Sequence, residues 1–365
     1  MTSRCDLVVV GAGIIGAACA SEAAAAGLEV VLVEPGAIGG GVTAAGMGHL
    51  VAVDGAPAEL ALAAASRATW EVWKDLPGVQ YSRCGTLWVA ANDKERAAIP
   101  GMRARLGEAG IAAEELDAAG LHACEPALAP GLAGGLRVPS EGIVYPPAVA
   151  ARLVERAARD GARLRRARAV ALGDHEVRLD DGSRLAGNVL VATGCELPRL
   201  LPELPLRPRK GHLVITERRP GLVRHQLVHL GYADSAHGDV DGVAFNVQPR
   251  PTGQLLIGSS REYGRTGTEM SLPMLRRMLE CAFGFLPGLR TLQAIRVWTG
   301  LRPASHDGLP YIGRLPERRG IWVAAGHEGH GVCTAPATAR LLVDGLLGRP
   351  PALDARPFDP ARVLA

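Results

Sequence analysis

Near the start of the chain, Gly11-Ala12-Gly13-Ile14-Ile15-Gly16 has the residue types and spacing that bind a pyrophosphate. Gly11 permits a tight turn, Gly13 lets the backbone approach phosphate oxygens, and Gly16 lets a helix pack closely on the strand before it. A pyrophosphate so held sits at the helix N-terminus, where unpaired N–H groups and the helix dipole favour negative charge. Glu34 closes the next apolar run. Its carboxylate can accept hydrogen bonds from a ribose diol and would repel a 2′-phosphate. Together these residues describe a dinucleotide site for an adenosine lacking that phosphate. The plain alternative is a glycine turn in an ordinary α/β protein.

The motif needs a strand before it and a helix after it. Residues 5–10 are apolar enough for a short buried strand, 14–26 are Ala-rich and end at Gly27, and 29–33 form a second strand. This is a βαβ unit. Further on, strands are predicted at 87–90, 164–172, 176–179, 188–192, 211–216, 243–247, 254–258, 292–299 and 321–325. Helices are predicted at 94–109, 146–160, 273–285 and 331–347. Pro146 stands where a helix loses nothing by lacking an N–H, and Asp180-Asp181-Gly182 reads as a hairpin turn. The nucleotide-binding pieces fall at both ends and in the middle, which predicts a second domain built from insertions.

A chain of 365 residues accommodates two domains of about 150 residues each. Hydrophobic residues make up 48% and charged residues 21%, which excludes disorder, collagen and coiled coil. The net charge is +3, and only Lys74, Lys94 and Lys210 are lysines. Arg163, Arg165, Arg166 and Arg168 read either as a nucleic-acid patch or as a solvated helix end and edge strand. No aromatic residue interleaves them, and no nucleic-acid partner is expected. Cysteines 5, 19, 84, 124, 195, 281 and 333 form no CxxC and predict reduced, mostly buried thiols in a cytosolic protein. No signal peptide or membrane-length apolar run is evident. The expected location is cytoplasmic or peripheral to the inner membrane. His327 with His330, and His225 with His229, could be read as metal pairs. Neither has a third ligand at metal-site spacing, and no metal is expected.

Three longer stretches carry a resemblance. They are Glu34-Pro35-Gly36-Ala37-Ile38-Gly39-Gly40-Gly41-Val42-Thr43-Ala44-Ala45-Gly46-Met47, then Gly300-Leu301-Arg302-Pro303-Ala304-Ser305-His306-Asp307-Gly308, then Ala324-Ala325-Gly326-His327-Glu328-Gly329-His330-Gly331-Val332. They resemble the glycine oxidase and D-amino-acid oxidase family of FAD-dependent oxidoreductases. The strand end Ala192-Thr193-Gly194 fits the same pattern, and the middle of the chain matches more loosely. The resemblance implies an α/β + α+β fold: a Rossmann-like FAD-binding domain of the glutathione-reductase type with an inserted mixed-sheet substrate domain. Residues 1–50, 140–205 and 300–365 would form the first, 51–139 and 206–299 the second. It implies FAD as cofactor, with Gly11, Gly13, Ile14, Ile15, Gly16, Glu34 and Pro35 on the ADP part. Val42, Thr43, Ala45, Gly46 and Met47 would line the stretch from pyrophosphate to flavin. Thr193 and Gly194 would complete the cofactor site, and Val170 would meet the adenine through its backbone. Gly326, His327, Glu328, Gly329, His330, Gly331 and Val332 would lie against the flavin ring. Relatives that attach FAD covalently do so at a Cys near the Arg-Pro block. That block holds none here, so FAD is expected to be non-covalent.

The implied reaction is oxidation of a small amino or imino acid by hydride transfer from Cα to flavin. A D-amino acid, D-hydroxyproline or glycine is the implied substrate, and a quinone, a dye or oxygen the electron acceptor. The resulting imine would hydrolyse to a 2-oxo acid and ammonia, and no side chain is assigned as acid or base. Arg302 would clamp the substrate carboxylate, since a guanidinium matches a carboxylate with two parallel bonds. The alternative is a structural Arg paired with Asp307 or Glu328. His49 and Asn246 are further substrate-binding candidates. Asn246 falls near the place where glycine oxidases carry a Tyr, and Arg261 where they carry an apolar residue; His49 could equally be a buried structural residue. Tyr232 and Tyr263 read as pocket walls or sheet residues. His327-Glu328-Gly329-His330-Gly331 is similar to flavin subunits of hydrogen cyanide synthase, opine dehydrogenases and D-hydroxyproline dehydrogenase. An alternative function follows: the flavin subunit of a heteromeric dehydrogenase, active only with partner subunits.

Overall fold

Leu7, Val8 and Val9 are fully buried, and a strand without an exposed face belongs inside a parallel sheet. In the computed structural model, which describes residues 2–52, 56–231 and 241–364, Thr2–Val10 pairs in parallel with Val30–Val33 and with Arg184–Val191. Arg163–Arg165 extends this sheet past Val30–Val33, while Ile321–Ala325 and then Tyr311–Arg314 extend it past Arg184–Val191. Ala169–Gly173 and Glu176–Leu179 hang from the first half of Arg184–Val191.

Helix Ile14–Ala25 is buried nearly all round. Ala17, Ala18, Cys19 and Ala20 have no exposure, and such small side chains let Pro146–Arg159 and Gly331–Leu346 approach it closely. Pro146–Arg159 buries Val149, Ala150, Leu153, Val154 and Ala157, one stripe at helical spacing. Pro57–Trp73 closes this core by packing Leu62, Trp70 and Trp73 toward the final helix.

A second sheet runs in the order Ala294–Ser305, Leu206–Arg218, Gln254–Arg261, Gly242–Pro249, Gln226–His229, Thr86–Ala90, Gly134–Val138 and Glu114–Asp117. It is antiparallel except where Gln226–His229 meets Thr86–Ala90. Helix Leu272–Phe285 covers it, with Met278 and Ala282 among Phe245, Val247, Leu255 and Ile257. The two-stranded pair His49–Leu50 and Gly142–Ile143 lies outside both large sheets. The strand Ala294–Ser305 runs without a break past residue 300.

Several sequence expectations change. The helix expected at 94–109 is two helices, Asp93–Arg96 and Ile99–Glu108. Pro100 is the reason: lacking an N–H, it fits the first turn of a helix and not an interior. The strand expected at 164–172 is likewise two, Arg163–Arg165 and Ala169–Gly173, with Arg168 N donating to Asp180 Oδ1 at 3.0 Å between them. The arginines of this stretch are tied locally: Arg163 to Glu29 at 2.5 Å, Arg165 to Asp181, and Arg166 to the Gly36 carbonyl. All seven cysteines are free. Cys5, Cys19 and Cys333 are buried, but Cys84, Cys124, Cys195 and Cys281 are only half-buried. Among the described residues, no helix is long and apolar enough to cross a membrane.

Candidate active site

Parallel sheets bind ligands beyond the carboxyl ends of their strands. There, past Val10, Val33 and Ala192, a cavity of about 570 Å³ opens and runs toward the second sheet. Every cofactor- and substrate-binding candidate named from the sequence lines it except Gly16, while Tyr263, read as a pocket wall or a sheet residue, is not part of the lining. Gly16 has the other role its spacing implies: a Cβ there would lie 1.9 Å from the Gly11 carbonyl oxygen. Gly11 adopts φ +104°, and its own Cβ would lie 2.6 Å from the Ala192 oxygen. Gly13 is different, since the nearest atom to an added Cβ is Thr43 Oγ1 at 3.3 Å. The protein's own backbone therefore demands glycine at 11 and 16, whereas at Gly13 it does not.

At one end the Glu34 carboxylate accepts from Ala12 N (2.9 Å) and Gly36 N (2.8 Å). Both bonds fix its orientation and leave acceptor capacity toward the cavity. Ile14 N donates to Thr43 Oγ1 at 2.9 Å. That first-turn amide is thus taken, and the Thr43 hydroxyl proton becomes the donor available beside it. Arg168, Val170, Glu196 and Arg199 border the same end. Thr193 Oγ1, Ser259 Oγ and Asn246 Oδ1 are buried without a hydrogen-bond partner, and all three residues line the cavity. Buried polar atoms rarely stay unpaired, so their arrangement suits a polar ligand threaded along the wall.

The middle of the cavity is bordered by the loop before the final helix. Glu328 has φ +47°, a conformation that favours glycine. Its N–H donates to the Pro303 carbonyl at 3.0 Å, and its carboxylate pairs with Arg209 at 2.8 Å. Arg209 also lies over the Tyr263 ring, 5.1 Å from its centroid. His327 Nε2 is 3.0 Å from Thr338 Oγ1, and burial pushes its pKa down to about 3, leaving it neutral. His330 Nδ1 is 2.5 Å from Glu59 Oε1 on helix Pro57–Trp73. Burial opposes a charge on His330, but Glu59, with help from Glu328, outweighs it and raises the pKa. Cys333 lines the cavity too, with Sγ donating to the His330 carbonyl at 3.1 Å, and burial raises its pKa well above the usual thiol range.

Arg302 stands at the other end, on Ala294–Ser305. Its Nη1 donates to the Ser260 carbonyl at 3.0 Å. The guanidinium lies over Gly211, where a Cβ would come within 2.6 Å of Nη1. The two carboxylates that the sequence offered as its partners are engaged elsewhere, Asp307 by Arg362 at 2.7 Å and Glu328 by Arg209 at 2.8 Å. His49, Asn246 and Trp88 border this end. His49 is held neutral by burial, reinforced by the charges of His330, Arg302 and Arg250, with a pKa near 4. His225 and His229 lie apart from the cavity and bond Glu125 (3.1 Å) and Glu95 (3.0 Å) respectively. Tyr232 falls outside the described residues.

Nothing in the sequence flagged Trp88, Glu59, Gly211 or Glu141. Glu141 is 4% exposed, and its Oε1 accepts from Ala52 N at 2.6 Å. Burial raises its pKa from 4.5 to about 7, against smaller opposing effects of Thr86, Ala52 and Trp88. A raised folded-state pKa gives stability that is complete below pH 4.5 and lost as pH rises through 7. The loss is roughly 3 kcal/mol at about 1.4 kcal/mol per unit. Glu141→Gln should therefore show a smaller drop in urea midpoint between pH 5 and pH 8 than the native protein. An equal drop in both would mean that Glu141 does not titrate in this window.

The profile of the family described as FAD dependent oxidoreductase matches residues 6–345. Glycine oxidase of Pseudomonas aeruginosa is 33% identical over 387 aligned positions, covering 97% of this chain and 98% of the relative. Hydrogen cyanide synthase subunit HcnC of the same organism is 27% identical, with 99% and 97% covered. The crystal structure of glycine oxidase from Geobacillus kaustophilus superimposes with a TM-score of 0.86 at 28% identity, covering 98% of each chain.

Proposed function

The chain belongs to the family of FAD-dependent oxidoreductases, and on that premise we propose that it oxidises a small amino or imino acid bound at the Arg302 end of the cavity. One observation carries the reading: a guanidinium seated over Gly211 at the end of the cavity opposite Glu34. A carboxylate is the group such a planar fork recognises best. FAD, when bound, supplies a two-electron acceptor for the hydrogen leaving Cα. The chain's own residues hold and orient. Glu34 takes the ribose, Thr43 and the first turn after Gly13 the pyrophosphate, and the N-terminal amides of Gly331–Leu346 lend partial positive charge beside the ring. Neutral His49 and His327 add no charge there, and His330, whose pKa is raised, is paired with Glu59. Cys333, buried and held as a thiol, supports non-covalent attachment. We also take the pieces 1–50, 140–205 and 300–365 as the FAD-binding domain, with 51–139 and 206–299 as the substrate domain. Anaerobic mixing with D-, L-, cyclic and N-methyl amino acids, followed by flavin absorbance, tests the reading. Bleaching by at least one is expected, and no bleaching by any would overturn it.

The likeness to a protein named as a hydrogen cyanide synthase subunit supports a second reading, a flavin subunit that passes electrons to a partner. Copurification from native cells would reveal stoichiometric partners. On either reading, protein reduced by its substrate should reoxidise faster with a phenazine dye than with air. Rapid aerobic reoxidation with one hydrogen peroxide per flavin would reverse that expectation.

A further inference from the structure

His330 stands at the cavity with one ring nitrogen engaged and the other open. Nδ1 lies 2.5 Å from Glu59 Oε1. A carboxylate only accepts, so Nδ1 carries the proton of that bond, and in the neutral ring the lone pair is left on Nε2. Among the described residues no hydrogen bond engages Nε2, and it is not one of the buried atoms without a partner. His330 lines the cavity with its side chain 29% exposed, whereas Glu59, at 12%, stays outside the lining. The ring therefore shows an accessible lone pair to the cavity while the carboxylate holds its far side.

The neighbours place this lone pair toward the Arg302 end. His330 follows Gly329, where a Cβ would lie 4.0 Å from Arg302 Cδ, and its charge acts together with that of Arg302 on His49. The ionisable groups around the ring are Glu59 on Pro57–Trp73, Glu328 and His327 on its own loop, His49, Arg261 on Gln254–Arg261 and Cys333 on the final helix. His49 and His327 are neutral, and Cys333 is a thiol. Burial opposes a charge on His330, Glu59 and then Glu328 favour one, and Arg261 opposes it; the balance lies above the ordinary imidazole value. A carboxylate behind an imidazole fixes its tautomer and steadies its protonated form. The arrangement is that of a base with an orienting partner.

We propose that His330 is the base that takes the ammonium proton of the bound amino acid through Nε2, and that Glu59 is the positioning residue that turns this nitrogen to the cavity. The proposal rests on reading the cavity as the site of amino-acid oxidation. A free amino acid carries an ammonium at neutral pH, and that nitrogen has no lone pair with which to form a C=N bond. In the proposed step the Nε2 lone pair bonds the proton, the N–H electron pair stays on the substrate nitrogen, and His330 becomes an imidazolium beside Glu59. The freed lone pair then forms the second C–N bond as the Cα hydrogen leaves with its electron pair, for which FAD is the acceptor.

Two measurements test it. Nitrogen-15 NMR of His330 in the substrate-free, FAD-loaded protein should show the Nδ1–H tautomer at alkaline pH, and its titration midpoint should fall in Glu59→Gln, which keeps an acceptor but loses the charge. Anaerobic flavin reduction at saturating substrate should be lost as pH falls through the His330 midpoint, because a protonated Nε2 cannot accept. His330→Gln at native FAD content should reduce roughly a hundredfold more slowly at pH 7, and should recover at high pH, where the substrate amine is neutral unaided. Glu59→Gln should move the acid limb of the profile to lower pH, and Glu59→Asp should restore it. A purely structural role would instead slow reduction equally at every pH. That equal loss, an unchanged rate in His330→Gln at pH 7, or an Nε2–H tautomer in the native protein overturns the proposal. Should His330→Gln fail to hold FAD, the shift of the acid limb in Glu59→Gln decides. If no amino acid reduces the native flavin, the substrate reading falls and the base with it; native reduction with a pH-independent loss in His330→Gln overturns the base alone.

Discussion

Arg302→Leu is expected to leave FAD content unchanged and to raise the apparent KM for the best amino acid by roughly 30- to 1,000-fold. Truncating one partner of a buried charge pair costs about 2–4 kcal/mol, and each 1.4 kcal/mol is about tenfold in affinity. The change should fall mainly on KM, because a clamp on the carboxylate acts on the bound substrate and on the reacting one alike. FAD should survive because Arg302 lies at the end of the cavity opposite Glu34, to which the proposed function gives the ribose. Removing the guanidinium also leaves the Ser260 carbonyl without its 3.0 Å partner, a local cost that a leucine cannot restore. Arg302→Lys keeps a charge but loses the fork, and should recover only part of the affinity. Flavin reduction by saturating substrate and steady-state KM, measured on the same preparations, separate binding from chemistry. Unchanged kinetics in Arg302→Leu would remove this residue from the site.

The parts of this site that were readable in the sequence are those that one short segment supplies whole. Gly11, Gly13, Gly16 and Glu34 act within one βαβ unit, and their spacing alone separates turn, approach and packing. The loop 326–332 is similarly self-contained. Glu59, Gly211 and Trp88 were not readable, because each acts on a residue far away in sequence. Glu59 reaches His330 from another helix, and Gly211 matters only because its strand runs beside Arg302. The helix Pro57–Trp73 is itself hard to read from its sequence. Its alanines carry little periodic contrast, although Pro57 at its first turn is a start signal. Glu328 lines the cavity with the rest of the loop that the sequence singled out, but its left-handed backbone could not be inferred from a glutamate. The Arg209 ion pair and the Pro303 carbonyl hold it there, and both partners come from other parts of the chain.

Gly13→Val should give a folded, colourless protein. Gly13 has φ −66° and ψ 177°, an extended conformation open to any residue, so valine brings no backbone strain. The nearest atom to its Cβ is Thr43 Oγ1 at 3.3 Å, a contact that a small side-chain adjustment relieves. The added branches would then occupy the space in front of the first turn of Ile14–Ala25, where a pyrophosphate must approach the amides. Loss of FAD without loss of fold is the specific expectation, and it divides this glycine from its neighbours. Gly11→Ala meets φ +104° and a carbonyl oxygen at 2.6 Å, and Gly16→Ala meets another at 1.9 Å. Backbone atoms cannot step aside as a side chain can, so those two variants should lose stability whether or not FAD is present. Far-UV circular dichroism and urea midpoints, compared with native protein stripped of its flavin, supply the reference. Gly13→Val matching that apo reference, with Gly11→Ala and Gly16→Ala falling below it, is the expected order. Full flavin occupancy in Gly13→Val would mean that the pyrophosphate does not lie against this turn.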